Sequence, residues 1–164
     1  MAVKTSEIVT LFQTLALQHG KISHDRPAGA KHFYRMELNE FAAGNTMFNG
    51  YNLILEVMPV KYIAPNRDNC FKIREVSFII VKAIKPINKE QISLAFDETE
   101  AIMEDFLARL NGISCGYSFS KVYFDLETVQ GEQVSDGKNF GMRCSIDLKS
   151  VHNLEVNADN WFVI

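Results

Sequence analysis

The stretch Phe71-Lys72-Ile73-Arg74-Glu75-Val76-Ser77-Phe78-Ile79-Ile80-Val81-Lys82-Ala83-Ile84-Lys85 reads as one long strand. Its middle, Val76 to Val81, is nearly all apolar and rich in β-branched side chains, the composition of a strand covered on both faces. Pro86 ends it, because proline brings no N–H to a ladder. Asn88 is then placed to cap a helix, with Gln91 three residues on as its capping-box partner. Ile92, Ala95, Phe96, Thr99, Met103, Phe106, Leu107 and Leu110 follow at helical spacing. Gly112 is where the helix is expected to end.

Working outward, Thr5 or Ser6 caps a first helix that runs to about Gly20. Ile8, Leu11, Phe12, Leu15 and Ala16 form its apolar stripe, and His19 falls in its last turn, where a cation favours the dipole. Gly20 to Lys31 is a loop broken by Pro27 and Gly29. His32 to Leu38 reads as a strand. Asn39 to Gly44 reads as a short helix capped by Asn39, and Tyr51 to Met58 as an apolar strand closed by Pro59. Val60 to Asn69 is a loop or a poorly paired strand.

Beyond the long helix, Tyr117 to Val129 is a strand with Val122, Phe124 and Leu126 on one face. Gln130 to Lys138 is a polar tip containing the turn signal Asp136-Gly137. Phe140, Met142, Cys144, Ile146 and Leu148 then alternate with Gly141, Arg143, Ser145 and Asp147, giving one buried and one wet face. The apolar run Trp161-Phe162-Val163-Ile164 must dock on something. The expectation is one α+β domain over 1–164. It has a mixed, largely antiparallel sheet and two main helices packed on one face.

The 164 residues are 47% apolar with a net charge of −3, which suits a globular chain and gives no general field for nucleic acid. Lys72, Arg74, Lys82 and Lys85 are read as a solvated strand face. Cys70, Cys115 and Cys144 form neither a disulfide framework nor a C-x-x-C pair. No signal peptide and no run of about 20 apolar residues is visible, so the expected setting is cytoplasmic, away from membranes.

Several constellations invite a chemical reading. His19, His24, Asp25 and His32 are the densest group of metal-ligand types, but their spacing matches no metal motif, and loop and helix-terminus roles are expected. Asp97, Glu98, Glu100, Glu104 and Asp105 cluster on the long helix. Glu100 and Glu104 stack at i, i+4 opposite the apolar stripe, where a solvated contact face is expected. Cys115 follows a helix and has neither a helix N-terminus nor a visible base to activate it. No catalytic residue, cofactor or metal is therefore assigned.

The order of elements resembles the tail-terminator and tail-completion proteins of long-tailed bacteriophages. The residues that carry the resemblance are Ile8 to Leu17, Glu75 to Ile84, Asp97 to Leu110 and the alternating Phe140 to Leu148. It implies a small α+β structural subunit of a phage tail or a tail-like contractile system, without catalytic residues, whose partners are other protein subunits in a homo-oligomeric ring. The contact residues expected on this reading are Trp161, Phe162, Val163, Ile164, Glu100 and Glu104. Two alternatives stand beside it: a protein-binding adaptor, and an enzyme or ligand-binding domain with a pocket near His24, Asp25 and His32.

Overall fold

The computed structural model describes residues 4–56, 58–66, 69–116 and 122–152, with main chain alone for 64–66, 69, 113–116, 122, 123, 151 and 152. It is an α+β fold with a six-stranded, mixed and mostly antiparallel sheet. The elements in order are α1 (Thr5–Gln18), β1 (Phe33–Arg35), α2 (Leu38–Ala42), β2 (Tyr51–Leu55), β3 (Val60–Asn66), β4 (Asn69–Ala83), α3 (Lys89–Gly116), β5 (Val122–Ser135) and β6 (Asn139–His152). The sheet order is β1-β2-β4-β6-β5, and β3 pairs with the N-terminal half of β4. Among the described residues only β1 and β2 run parallel.

β4 is the axis of the sheet. It pairs with β6 along nearly its whole length, from Cys70↔His152 to Ala83↔Asn139. Its other edge is shared, with β2 opposite Phe78–Lys82 and β3 opposite Asn69–Arg74. Val76, Phe78, Ile79, Ile80 and Val81 are all fully buried, as a strand covered on both faces requires. On one face the Phe78 ring lies 5.2 Å from Phe12 of α1 and 5.9 Å from Phe106 of α3, centroid to centroid. Ile8, Leu15, Ile102, Met103, Leu110, Phe124, Met142, Cys144, Ile146 and Leu148 complete this core. On the other face, Ile79, Val81 and Ile54 meet Phe41 of α2, with Phe48 and Val134 packed around them.

The ends of the elements show which local signals prevailed. The Asn88 carboxamide oxygen accepts a hydrogen bond from the Gln91 N–H at 2.9 Å, so the expected cap of α3 is formed. The helix does not stop at Gly112 but continues to Gly116. One interior glycine costs about 1 kcal/mol relative to alanine, too little by itself to end a helix of this length. α1 begins at Thr5, and neither Thr5 nor Ser6 is its cap. Lys4 holds that position, and its N–H donates to the Glu7 carboxylate at 2.6 Å. The Thr5 hydroxyl instead accepts from Arg74 Nη1 at 2.9 Å. Similarly Glu37, not Asn39, precedes α2, and its N–H donates to Glu40. That helix takes Leu38 away from the expected strand and leaves β1 three residues long.

Val60–Asn66 is a true strand, with an irregularity between Ile63 and Asn66. The hairpin of β5 and β6 has a short turn in place of the long tip expected from composition. Asp136 closes it by accepting from the N–H groups of Lys138 and Asn139 at 2.9 and 2.7 Å, and Gly137 sits at φ +86°. Polarity misleads here because β5 is an edge strand and its distal part is wet.

A glycine fixes the β4–β6 contact. A Cβ on Gly141 would collide with the main chain of Ile80 and Val81, so no larger residue fits this close approach.

Candidate interaction surface

The sheet face that carries Ile79 and Val81 changes character along β4. Toward Ser77 and Glu75 the apolar cover of α2 gives way to polar side chains. Register places Arg143, Ser145, Asp147 and Lys149 of β6 beside Ile79, Ser77, Glu75 and Ile73 of β4. The Ser77 and Ser145 hydroxyls bond each other at 2.7 Å. The Glu56 N–H, just past β2, donates to the Ser77 carbonyl at 3.0 Å, which puts its carboxylate on this face.

Arg143 is the centre of the surface. Its Nε and Nη2 donate to the two carboxylate oxygens of Glu56 at 2.6 and 3.1 Å, and Nη1 donates to Glu132 of β5 at 2.9 Å. The fork therefore ties β2, β6 and β5 together across the intervening β4. The Glu56 side chain is 10% exposed and the Arg143 side chain 21%. A paired, bidentate geometry is what makes charges tolerable at that depth. Hydrogen bonding to Glu56 holds the guanidinium above its ordinary pKa.

Farther along, Asp125, Asp147 and Glu75 stand in one row across β5, β6 and β4. Like charges directly opposite one another repel. Lys149 relieves part of this by pairing with Asp125, and that contact first, with the Glu127 N–H, holds the Asp125 carboxyl below its ordinary pKa. β5 bulges here. Pairing runs Asp125↔Asp147 and then Gln130↔Ser145, so residues 126–129 stand opposite Ile146 alone. The bulge is closed by Asp125 Oδ1 accepting from the Glu127 N–H at 3.1 Å, and by Thr128 Oγ1 donating to the Asp125 carbonyl at 2.8 Å. It also turns Leu126 out to 41% exposure, against the buried position its alternation predicts. The row borders a shallow concavity of about 440 Å³ lined by Lys61, Glu75, Glu127, Thr128, Gln130, Ser145, Ile146 and Asp147.

The side chains singled out in the sequence are dispersed. Glu100 and Glu104 are exposed on α3, as their place opposite the stripe predicts. Asp105 is exposed beside them, while Glu98 departs from that face. Glu98 accepts from the Tyr51 hydroxyl at 2.8 Å and pairs with Lys82, and Asp105 lies 3.3 Å from His19 Nε2. Burial pushes the Glu98 carboxyl up, but the Lys82 and Tyr51 hydrogen bonds outweigh it and hold it below its ordinary value. Hydrogen bonding to Glu98 raises Lys82 in turn. Of the expected solvated basic face, Lys72, Arg74 and Lys82 are half-buried and Lys85, past the end of β4, is exposed. Lys82 is tied to α3 and Arg74 to α1.

His24, Asp25 and His32 serve the loop. His24 Nδ1 accepts from the His32 N–H at 3.2 Å, Asp25 accepts from the Gly29 N–H at 2.6 Å, and the His32 ring meets Asn52 at 3.1 Å. No group of three or more metal-ligand side chains converges among the described residues. Cys70 and Cys144 are buried free thiols, and burial pushes Cys144 up to about 12, far from a reactive thiolate. Cys115 lies within α3, not after it, and its side chain is outside the described residues, as is the whole run Trp161 to Ile164.

The Glu56–Arg143–Glu132 fork escaped the sequence reading, yet it had a signal. Glu56 is a lone acid in an apolar strand, and Arg143 sits at the middle of the polar side of the clearest alternation. Opposite charges at two such positions suggest a pair.

No helix among the described residues is long and apolar enough to cross a membrane. Neither models of known protein families nor curated proteins give a match to this chain.

Proposed function

We propose that this chain is a non-enzymatic assembly subunit, a structural part that works by binding other protein subunits, copies of itself included. The observation that carries this is the edge of the sheet. β5 is fourteen residues long and, among the described residues, pairs only with β6. Such an edge offers unpaired N–H and C=O groups to a neighbour on either side of the bulge at residues 126–129. The polar face beside it supports the same reading. The Arg143 fork and the Lys149–Asp125 pair hold several of its charges in fixed positions, which suits recognition of another surface.

The wider setting proposed, a phage tail or tail-like contractile system, rests on the order of the elements. Glu100, Glu104 and the run Trp161 to Ile164 are proposed as further contacts, and an adaptor for a single protein partner is the alternative. Equilibrium sedimentation of the purified chain and of a form lacking residues 161–164 tests the proposal. Assembly predicts a concentration-dependent mass for the full chain and a smaller mass for the shortened, still folded one. A full chain that stays monomeric at high concentration removes self-assembly and leaves the adaptor.

A further inference from the structure

On its other side the sheet ends at β1, beyond β2, along one half of β4 and at β3 along the other half, and the β3 edge has the opposite character to β5. β3 pairs only with β4 among the described residues, and it exposes Val60 (37%), Tyr62 (54%) and Ile63 (49%) along with Lys61. Lys61 is the side chain of β3 that is charged at neutral pH, and it is positive. On β5 the charged side chains, Asp125, Glu127 and Glu132, are all acidic. Asp125 and Glu132 are already committed to Lys149 and Arg143. Glu127 is exposed, and neither it nor Lys61 enters an ion pair among the described residues. Both border the same concavity, so both side chains project on the polar face of the sheet.

From these edges we infer that copies of the chain join head to tail, β5 of one against β3 of the next, with Glu127 meeting Lys61 of the second copy. The inference rests on the assembly reading and names its contact. Three features select this pairing. First, β3 and β6 run antiparallel to β4, and β5 runs antiparallel to β6. Thus β3 and β5 run in opposite directions, and a second copy displaced along the sheet presents β3 to β5 in the antiparallel sense already used within the sheet. Second, β5 on β5 brings acids opposite acids and β3 on β3 brings Lys61 near Lys61, while β1, the other strand on this side, has only three residues to offer. Third, β3 exposes Val60, Tyr62 and Ile63, so apolar surface stands ready beside that edge for a neighbour to bury. Two different edges used in this way make a heterologous interface, which builds a ring or a filament rather than a twofold dimer.

The test uses the full-length chain and two charge reversals at exposed positions, Lys61→Glu and Glu127→Lys, each checked for native circular dichroism. Sedimentation at low salt should show wild-type association and a weakening on the order of tenfold for each variant alone, as an exposed attraction becomes a repulsion. The difference should fade in about 1 M salt, where the screening length falls to about 3 Å. Mixing the two variants in equal amounts should restore association. In an alternating assembly the glutamate introduced on β3 of one variant meets the lysine introduced on β5 of the other. The native Lys61 and Glu127 that the two variants retain meet in the same way at the next contact. Wild-type association with both variants unaffected, or no recovery on mixing, overturns the pairing and leaves the assembly reading standing. A monomeric wild type overturns both.

Discussion

The two faces of the sheet are built by the same strands and held by different physics. Around Phe78 the face meets α1 and α3 through aromatic and aliphatic contacts, and nearly every side chain is out of water. One residue along, around Ser77, the opposite face is held by the Ser77–Ser145 hydroxyl pair, the Arg143 fork and the Lys149–Asp125 pair. Apolar packing tolerates exchange among side chains of similar volume but not loss of volume. A paired polar face tolerates removal of both partners better than removal of one. The two faces should therefore respond differently to substitution.

The contrast breaks most visibly in the core. Phe106→Ala should lower unfolding free energy by about 3–5 kcal/mol in urea titration, since its ring is 2% exposed and packs on Phe78. Gly141→Ala should cost about 3 kcal/mol by the same measurement, because its Cβ meets rigid main chain rather than a movable side chain. A loss below about 1 kcal/mol at either position would mean that the central contact of β4 is wrongly drawn.

The polar face should respond differently. Glu56→Leu alone leaves the guanidinium half-buried with Glu132 as its remaining partner and should cost about 1–3 kcal/mol. Glu56→Leu with Arg143→Leu should cost less than the sum of the two single changes, with a coupling of about 1–2 kcal/mol in a double-mutant cycle. Additive losses would mean that the fork carries no pairwise energy.

The smallest effect belongs to the Lys82–Glu98 pair, which joins β4 to α3 at the border of the core. Glu98 is held below its ordinary pKa, so its contribution is present above the unfolded value and is lost as pH falls through about 4 and below. Lys82 is raised, so its contribution is present below the unfolded value and is lost as pH rises beyond about 10.4. The two side chains are about a quarter exposed, and screening limits the pair to about 1 kcal/mol at most. The thermal midpoints of wild type and Glu98→Gln should differ at neutral pH and converge at both extremes. A constant offset across the range would assign the difference to packing.

The sequence revealed most where burial imposes a period. The strand of Val76 to Val81, the α3 stripe and the buried side of the alternation from Phe140 to Leu148 are found as expected, because each residue's placement is set by a core it cannot avoid, while the side expected to be wet is half-buried. The expectations that failed lie where polar detail decides. Leu38 joins a helix because Glu37 and Glu40 can close its first turn. Leu126 leaves the core because Asp125 and Thr128 stabilise a bulge. Glu98 leaves the acidic face because Lys82 and Tyr51 reach it. The Arg143 fork joins residues 87 positions apart, a distance over which no local pattern operates. The candidate surface was therefore the least legible part of the chain.

Hydrogen exchange followed at two protein concentrations tests the central claim, that this subunit assembles through its sheet edges. The account predicts that amides of β3 and β5 exchange more slowly at the higher concentration, as a neighbour covers them. Those of α3, away from any edge, should keep one rate throughout. Equal exchange in β3 and β5 at both concentrations, up to the highest the protein tolerates, would contradict it.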